Sequence, residues 1–301
     1  MAVDPRDGTF VIDATLAGRL DRAVKSFRPE LSWSEVRDLI ARGKVLVDGC
    51  VVADPGVGAA AGAEVTIAVA NRHLAAADAV PPFDRARILH LDRDIVVVDK
   101  PPGVPTVPFG EEADAVDRRL HELLGARVHV VQRLDRDTSG VMVFARSKDA
   151  FTHLEHQWRR HAIRRSYLAV AHGDVRAATL RSFLADDRGD GLRGSIANSR
   201  VGKEAITHVE PVEALRSATL VRCRLETGRT HQIRIHLAER GHMVLGERGY
   251  VRDHRGAVLQ APRIMLHAAE LGFEHPVSAA AMQFVVPMPE DMAAVVQSLR
   301  A

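Results

Sequence analysis

A nine-residue stretch, Gln132-Arg133-Leu134-Asp135-Arg136-Asp137-Thr138-Ser139-Gly140, separates two apolar runs, Val128-His129-Val130-Val131 and Val141-Met142-Val143-Phe144-Ala145. Both runs have the character of strands, so any fold of this chain must carry a cluster of charges in one turn between them. Two arginines flanking one carboxylate favour its ionised form even where water is excluded, because nearby opposite charge offsets the penalty of burial. Asp135 therefore reads as a permanently charged group. Taken alone, such a turn is more often a surface loop with Asp/Arg pairing.

At 301 residues the chain can bury a substantial core and is expected to hold more than one domain. Hydrophobic residues at 46% and charged residues at 27% are those of a soluble globular protein. No run is as long as a membrane span, and Met-Ala-Val-Asp-Pro-Arg-Asp lacks a basic-then-apolar leader, so the cytoplasm is the expected compartment and no membrane partner is expected. Cys50 and Cys223 are too few for a disulfide framework and lack zinc-ligand spacing, which fits a reducing compartment. The net charge of +2 leaves no large global field, so any site for a polyanion must be a local patch.

Residues 1–13 read as an arm with little periodicity. From Leu16 the pattern becomes helical: Leu16, Leu20, Val24 and Phe27 share one face, Arg19, Arg22 and Lys25 another, and Pro29 ends the helix. Ser32-Trp33-Ser34-Glu35 is a capping box for a second helix, with Val36, Leu39 and Ile40 facing inward and Gly43 ending it. Asp48-Gly49 joins two short strands as a hairpin, and a further strand runs from Val65 to Val69. Gly56 to Gly62 is a loop, since its third glycine is misplaced for a dinucleotide motif and no βαβ unit surrounds it.

Residues 14–70 resemble the small αL-type RNA-binding domain first seen in a ribosomal small-subunit protein, through Arg19-Leu20-Asp21, Ser32 with Val36, Leu39-Ile40, Gly43-Lys44-Val45 and Val47-Asp48-Gly49. This segment carries seven basic and seven acidic side chains, so RNA affinity would have to come from their arrangement. Arg19, Arg22, Lys25, Arg37, Arg42 and Lys44 are expected to gather on one face and touch phosphates; the alternative is a solvated helix face.

Residues 71–82 lack a pattern and end in Pro-Pro, as a linker would, which leaves 83–301 as the second domain. Ile95 to Val98 reads as a strand covered on both faces, followed by the turn Lys100-Pro101-Pro102-Gly103. Asp114 is placed to cap a helix bearing Val116, Leu120 and Leu123 and closed by Gly125. Beyond the charged turn, Phe151, Leu154 and Trp158 share a helical face near the basic residues Arg159, Arg160, Arg164 and Arg165. His153, His156 and His161 lack a carboxylate or cysteine at ligand spacing, so no metal is expected there. Ser166 to Ala171 alternates as a strand, 186–202 reads as a mobile loop, and Thr230 is suited to cap a helix ending near Gly241 that sets His231 and Arg234 one turn apart.

The stretch around Asp135 resembles the signature of the RluA family of pseudouridine synthases, His-Arg-Leu-Asp-x-x-Thr-Ser-Gly, with Gln132 in place of the His. Further matches are the Lys-Pro-x-Gly turn at Lys100, the basic-x-Tyr-x-Ala-x-x-x-Gly pattern from Arg165 to Gly173, Gly202-Lys203-Glu204-Ala205-Ile206-Thr207, and Thr227 to His236 with its Gln-Ile-Arg. Near Tyr250 the match is looser, with Glu247-Arg248-Gly249 where Gly-Asp leads in a more typical member. The resemblance implies an α+β protein: a mixed, mainly antiparallel sheet with flanking helices, preceded by the small RNA-binding domain. It implies an RNA uridine isomerase in which Asp135 is catalytic, Arg234 pairs with it, and Tyr167 lies in the active site. It assigns Arg133 to the stack vacated by an everted base. With their positive charge, Arg136, Lys100, Arg229 and His231 join Arg19, Arg22, Arg42 and Lys44 as expected RNA contacts.

Isomerising uridine to pseudouridine breaks N1–C1′ and forms C5–C1′, with no oxidation and no energy donor, so neither cofactor nor metal is expected. One carboxylate can carry it as nucleophile or as base. The expected partner is ribosomal RNA, with transfer RNA second, and a monomer is expected. The competing reading is a non-catalytic RNA-binding or ribosome-assembly protein on the same scaffold, suggested by Gln132.

Overall fold

The computed structural model describes residues 8–13, 16, 18–41, 44–48, 50–52, 56–67, 80–108, 113–188, 192–197 and 200–300. The chain divides into two compact units, residues 1–80 with 109–113, and residues 81–108 with 114–301. Most of the expected linker, 71–79, lies outside the described residues, as do Arg42 and Gly43.

The first unit runs β1 (Gly8–Val11), β2 (Gly18–Arg19), α1 (Leu20–Phe27), α2 (Trp33–Ala41), β3 (Val45–Val47), β4 (Cys50–Val52), β5 (Gly58–Ala59) and β6 (Glu64–Ile67). Its main sheet has the order β1-β6-β3-β4, and β2 pairs β5. The supposed arm thus supplies an edge strand: Gly8 to Val11 pair antiparallel with Ile67 to Glu64. The stretch Phe10-Val11-Ile12 is an apolar run without a polar alternation, a strand signal too short to stand out in the sequence. The first helix begins at Leu20, four residues later than expected from Leu16, because Gly18 and Arg19 pair with Ala59 and Gly58. The capping box forms as read: Ser32 N–H donates to Glu35 Oε2 at 2.7 Å, and Glu35 N–H to Ser32 Oγ at 3.2 Å. Asp48 takes φ 49°, the left-handed value a tight hairpin needs, and Val47 faces Cys50 across it. Leu20, Val24, Val36, Ile40, Val45 and Val65 close a core of this unit's own.

The second unit contains β7 (Ile88–Leu91), β8 (Ile95–Lys100), α3 (Val116–Leu124), β9 (His129–Val130), β10 (Ser139–Ala145), α4 (Lys148–Arg159), β11 (Arg164–His172), β12 (Ala178–Ala185), β13 (Gly194–Ile196), β14 (Lys203–Leu215), β15 (Ala218–Leu225), α5 (Gln232–Ala238), β16 (Leu266–Glu274), β17 (Ala281–Val285) and α6 (Glu290–Leu299). The sheet order is β13-β12-β14-β15-β11-β16-β10-β8-β7, with β17 added on β16 and β9 on β10. Its strand pairs are antiparallel except β10 with β16, so the sheet is mixed and mainly antiparallel.

Strand periodicity explains why β8 and β10 are apolar throughout. Val96, Val98, Met142 and Phe144 face one core with Val116 and Leu120 of α3 and Met292 and Val296 of α6. The alternate residues Ile95, Val97, Val141 and Val143 face a second core with Ala150 and Leu154 of α4. The loop expected to be mobile at 186–202 contains β13, whose Ser195 N–H donates to Glu239 Oε1 at 2.8 Å. Asp114 does not cap α3: it pairs with Arg119 at 2.7 and 2.6 Å, and Ala115 is the N-cap. Gly125 does end that helix, with φ 64°.

Candidate active site

The signature turn leaves the sheet where β10 meets its parallel neighbour, Gly140 facing Ala268. Its backbone is held by side chains distant in sequence. Thr106 Oγ1 donates to Leu134 O at 2.9 Å and accepts Leu134 N–H at 3.0 Å. Arg263 Nη1 donates to Asp137 O at 2.9 Å. Lys100 Nζ donates to the carbonyls of Pro101, Val104 and Arg136 at 2.8, 2.6 and 2.9 Å. Lys100 is fully buried, and burial pushes its ammonium down to about 7 against the opposing charges of Asp137 and Asp135. Its expected role as an RNA contact is therefore corrected: a side chain with no exposed surface and three backbone acceptors braces the turn.

The cation that meets Asp135 comes from α5, 99 residues on: Arg234 Nη1 lies 3.1 Å from Asp135 Oδ2. Arg133, beside Asp135 in the chain, is exposed. The Nε/Nη2 edge of the Arg234 guanidinium is held by Glu247, Nε to Oε2 at 2.6 Å and Nη2 to Oε1 at 2.9 Å. Glu247 Oε1 also accepts the backbone N–H groups of Arg248, Gly249 and Tyr250 at 3.0, 2.8 and 3.3 Å. Burial alone would raise the Glu247 carboxyl, but Arg234 and these N–H groups hold it below its ordinary value. Burial likewise works against the charge on Arg234, and Glu247 with Asp135 more than restores it.

His231 stands beside them, its Nε2 3.7 Å from Asp135 Oδ2 and its Nδ1 2.7 Å from the Tyr250 hydroxyl. Burial lowers the His231 imidazole below its usual value despite Asp135. His231 Nδ1 and the Tyr250 hydroxyl share a hydrogen bond, which leaves the other ring nitrogen facing Asp135. The residue expected to cap α5, Thr230, is displaced in that role by His231, which sits at the N-cap with φ 58° and makes no side-chain cap. The first turn is anchored instead by Gln232, whose Oε1 accepts Thr227 Oγ1 and Arg229 N–H at 2.9 Å each, while its Nε2 donates to Ile206 O and Thr207 Oγ1 at 3.0 Å. Arg229 turns its Nε to Glu204 O at 2.9 Å.

Tyr167 comes from β11, which lies next to β16 and hence one strand from β10. The β11–β16 register shifts between Ser166 and Tyr167, the kind of bulge that re-aims a side chain. Burial raises the phenol above its usual value, the charge of Asp135 adds to this, and Arg165 opposes it. Arg165 is buried and donates to Glu226 O at 3.0 Å, its Nε has no partner, and it rests against Gly228, where a Cβ would lie 2.4 Å from Nη1. The structure thus brings together Asp135, Arg234, Tyr167 and His231 from a turn, a helix, a strand and a helix start.

Asp92, Asp94 and His275 are the metal-ligand grouping found among the described residues, their atoms within 4.8 Å of one another. His275 Nδ1 accepts the Val277 and Ser278 N–H groups at 3.3 and 3.1 Å, so its proton is on Nε2, donated to Asp92 at 3.0 Å. A ring with both nitrogens so engaged offers no lone pair to a cation.

A profile of the family described as RNA pseudouridylate synthase matches residues 94–239, which include every residue of the cluster except Glu247 and Tyr250. The ribosomal large subunit pseudouridine synthase D of Xylella fastidiosa is 36% identical, across 97% of this chain and 92% of that protein. The chain belongs to the RNA pseudouridylate synthase family. It is an RNA pseudouridine synthase, an isomerase. An uncharacterized RNA pseudouridine synthase of Bacillus subtilis is 32% identical across 94% of each chain. Among solved structures, human RNA pseudouridylate synthase domain containing 4 shares the fold with a TM-score of 0.58 at 23% identity, over 71% of this chain and 93% of that one.

Within this family's pattern, reading the sequence missed Thr106, Arg263 and Glu247. Thr106 and Arg263 carry no sequence signal, because they bind backbone of a segment that only the fold brings near. Glu247 had a weak one: a carboxylate in a loosely matching segment between α5 and Tyr250.

Proposed function

We propose that this pseudouridine synthase acts on uridine in ribosomal RNA of the large subunit, as the names of its relatives suggest, with transfer RNA the second substrate class. Asp135 is the reacting carboxylate, and it works in the ionised form because Arg234 meets it. It attacks the sugar at C1′ as a nucleophile, or acts as a base that takes the C2′ proton as N1–C1′ breaks and returns it as C5–C1′ forms; both roles place a carboxylate oxygen against the same part of the sugar. The N1–C1′ bond breaks, the base turns, C5–C1′ forms, and the C5 proton leaves while N1 gains one, so the composition of the nucleotide is unchanged.

A base stacked in a helix is out of reach of a carboxylate at the foot of a sheet, so the nucleotide is everted, at a cost of a few kcal/mol that contacts with RNA offset. Arg133, exposed on the same turn, fills the vacated stack. Tyr167 packs on the uracil, and its raised phenol favours this over proton removal. The Arg165 guanidinium, buried without a carboxylate partner among the described residues, is a seat for the substrate's phosphate. Arg136, Arg229 and His231 line the approach, and Arg19, Arg22, Arg42 and Lys44 of the αL-type segment add sequence-independent contacts. The enzyme acts as a monomer in the cytoplasm.

The observation that carries this reading is the 3.1 Å contact between Asp135 and Arg234, with Tyr167 within reach of the same charge. The test is release of tritium from C5-labelled uridine in large-subunit ribosomal RNA. Release with the wild-type chain and none with Asp135→Asn supports it, and equal release from both refutes the role of Asp135.

A further inference from the structure

The first unit has a concavity of about 530 Å³ lined by Arg19, Asp21, Arg22, Trp33 and Arg37. Helical spacing builds it: Arg19 and Arg22 border it at the start of α1, Trp33 and Arg37 one turn apart on α2. Its floor is Asp21, buried and held by Arg19 Nε and Nη2 at 3.1 and 2.8 Å, with Arg37 Nε at 3.5 Å. One carboxylate among three arginines leaves two positive charges in excess, and Arg22, exposed, pairs with no acid among the described residues. Trp33 is 47% exposed at the first turn of α2, although its capping box needs only Ser32 and Glu35. An indole is costly to leave in water, and nothing in the capping of α2 requires one.

We propose that this concavity seats one unpaired nucleotide of the substrate RNA, its base stacked on Trp33 and its phosphate between Arg22 and Arg37. The chemistry needs both parts. A duplex offers phosphates but no open base face, whereas a bulged or overhanging nucleotide offers an anion and a π-face within one residue. Asp21 fixes the guanidinium of Arg37 at the rim, and Arg22, with no acid to satisfy, is free to move onto the phosphate. Lys25, first grouped with these cations, does not join them: its Nζ donates to the carbonyls of Pro29, at 2.7 Å, and Leu31, closing the end of α1. This inference rests on RNA being the substrate, and it adds a preference for an unpaired nucleotide beside the helix being bound.

The test uses the full chain with Trp158→Phe, which leaves Trp33 as the only indole of two. Titration with an RNA hairpin carrying a single-nucleotide bulge is expected to quench the emission, and the same hairpin without the bulge to quench it far less. In the otherwise wild-type chain, Trp33→Ala is expected to raise KM for a modified RNA about tenfold with kcat unchanged, and Trp33→Phe to recover most of the loss. Tritium release with silent Trp33 emission, equal quenching by both hairpins, or an unchanged KM in Trp33→Ala overturns this site and leaves the isomerase reading standing. Absence of tritium release from every RNA overturns the substrate assignment instead.

Discussion

Glu247 grips the Nε/Nη2 edge of Arg234 through two hydrogen bonds, 2.6 and 2.9 Å, and leaves Nη1 to meet Asp135. A single Arg contact would let the carboxylate swing; an arginine locked from behind fixes where the charge of Asp135 sits. Glu247 itself is immobilised by three backbone N–H groups, so the orientation passes from the 248–250 turn to Asp135 through two side chains.

Removing Glu247 leaves a buried guanidinium half paired, so Glu247→Ala is expected to cost about 3 kcal/mol at pH 7, measured by urea unfolding. The pH dependence has a definite sign. The folded Glu247 carboxyl lies below its ordinary value of 4.5, so its contribution is complete above that value and is lost as pH falls through the lower folded one. The melting curves of wild type and Glu247→Gln should therefore converge as pH falls below 4.5; a constant gap down to pH 2 contradicts the pairing.

Asp135→Asn keeps the shape of the turn and removes the charge proposed to react. Tritium release should fall by at least about 10³-fold, the scale of losing an essential acid–base or nucleophilic group. RNA affinity should stay within about threefold, since phosphate contacts supply most of it. A filter-binding assay beside the turnover assay separates the two.

Lys100 titrates near 7 in the folded chain and at 10.5 as an ordinary lysine. Between these values the unfolded chain holds the extra proton, so this residue makes stability rise with pH across that window. Lys100→Met removes the titration, and its melting temperature should lose ground to wild type from pH 7 to pH 10. The same variant should lose turnover through a loosened signature turn while binding RNA as tightly as wild type, because the side chain does not reach the surface.

Gly140 has φ 113°, and a Cβ there would lie 2.2 Å from Ala268 O across the parallel strand pair. Gly140→Ala is expected to destabilise by more than about 4 kcal/mol or to prevent folding. Gly125→Ala, at φ 64° with open space around it, should cost only about 1 kcal/mol. Urea midpoints of the pair check this, and equal costs would show that the backbone at Gly140 moves freely.

Arg22→Ala should reduce the slope of log affinity against log salt by about one, without changing turnover at saturating RNA. An unaltered slope would remove this face of the first unit from the RNA contact.

Local chemistry was legible wherever it acts through neighbours in the chain. The Ser32/Glu35 capping box, the Asp48 hairpin, the Gly125 helix end, the doubly covered strand at Ile95 and the apolar strand run at Val141 all depend on residues within a few positions. Readings failed where a nearby side-chain or carbonyl partner, or a strand pair, competed with the expected role. Arg19 was drawn to Asp21 and a strand pair, Asp114 to Arg119, and Lys25 to the carbonyls that end its helix.

The amino-acid order by itself singled out one carboxylate as the candidate: Asp135, in a charged turn between two strand runs, with Tyr167 and Arg234 carried by patterns that match one family. Only the tertiary structure decided what each charge does. It buried Lys100 under three carbonyls, set Glu247 behind Arg234 and aligned β15, β11, β16 and β10 so that residues up to 99 positions apart meet at one carboxylate. The reason is physical. Strand and helix periods are set by neighbours in the chain, whereas the pairing of buried charges depends on which segments exclude water from each other, and that is a property of the packed sheet.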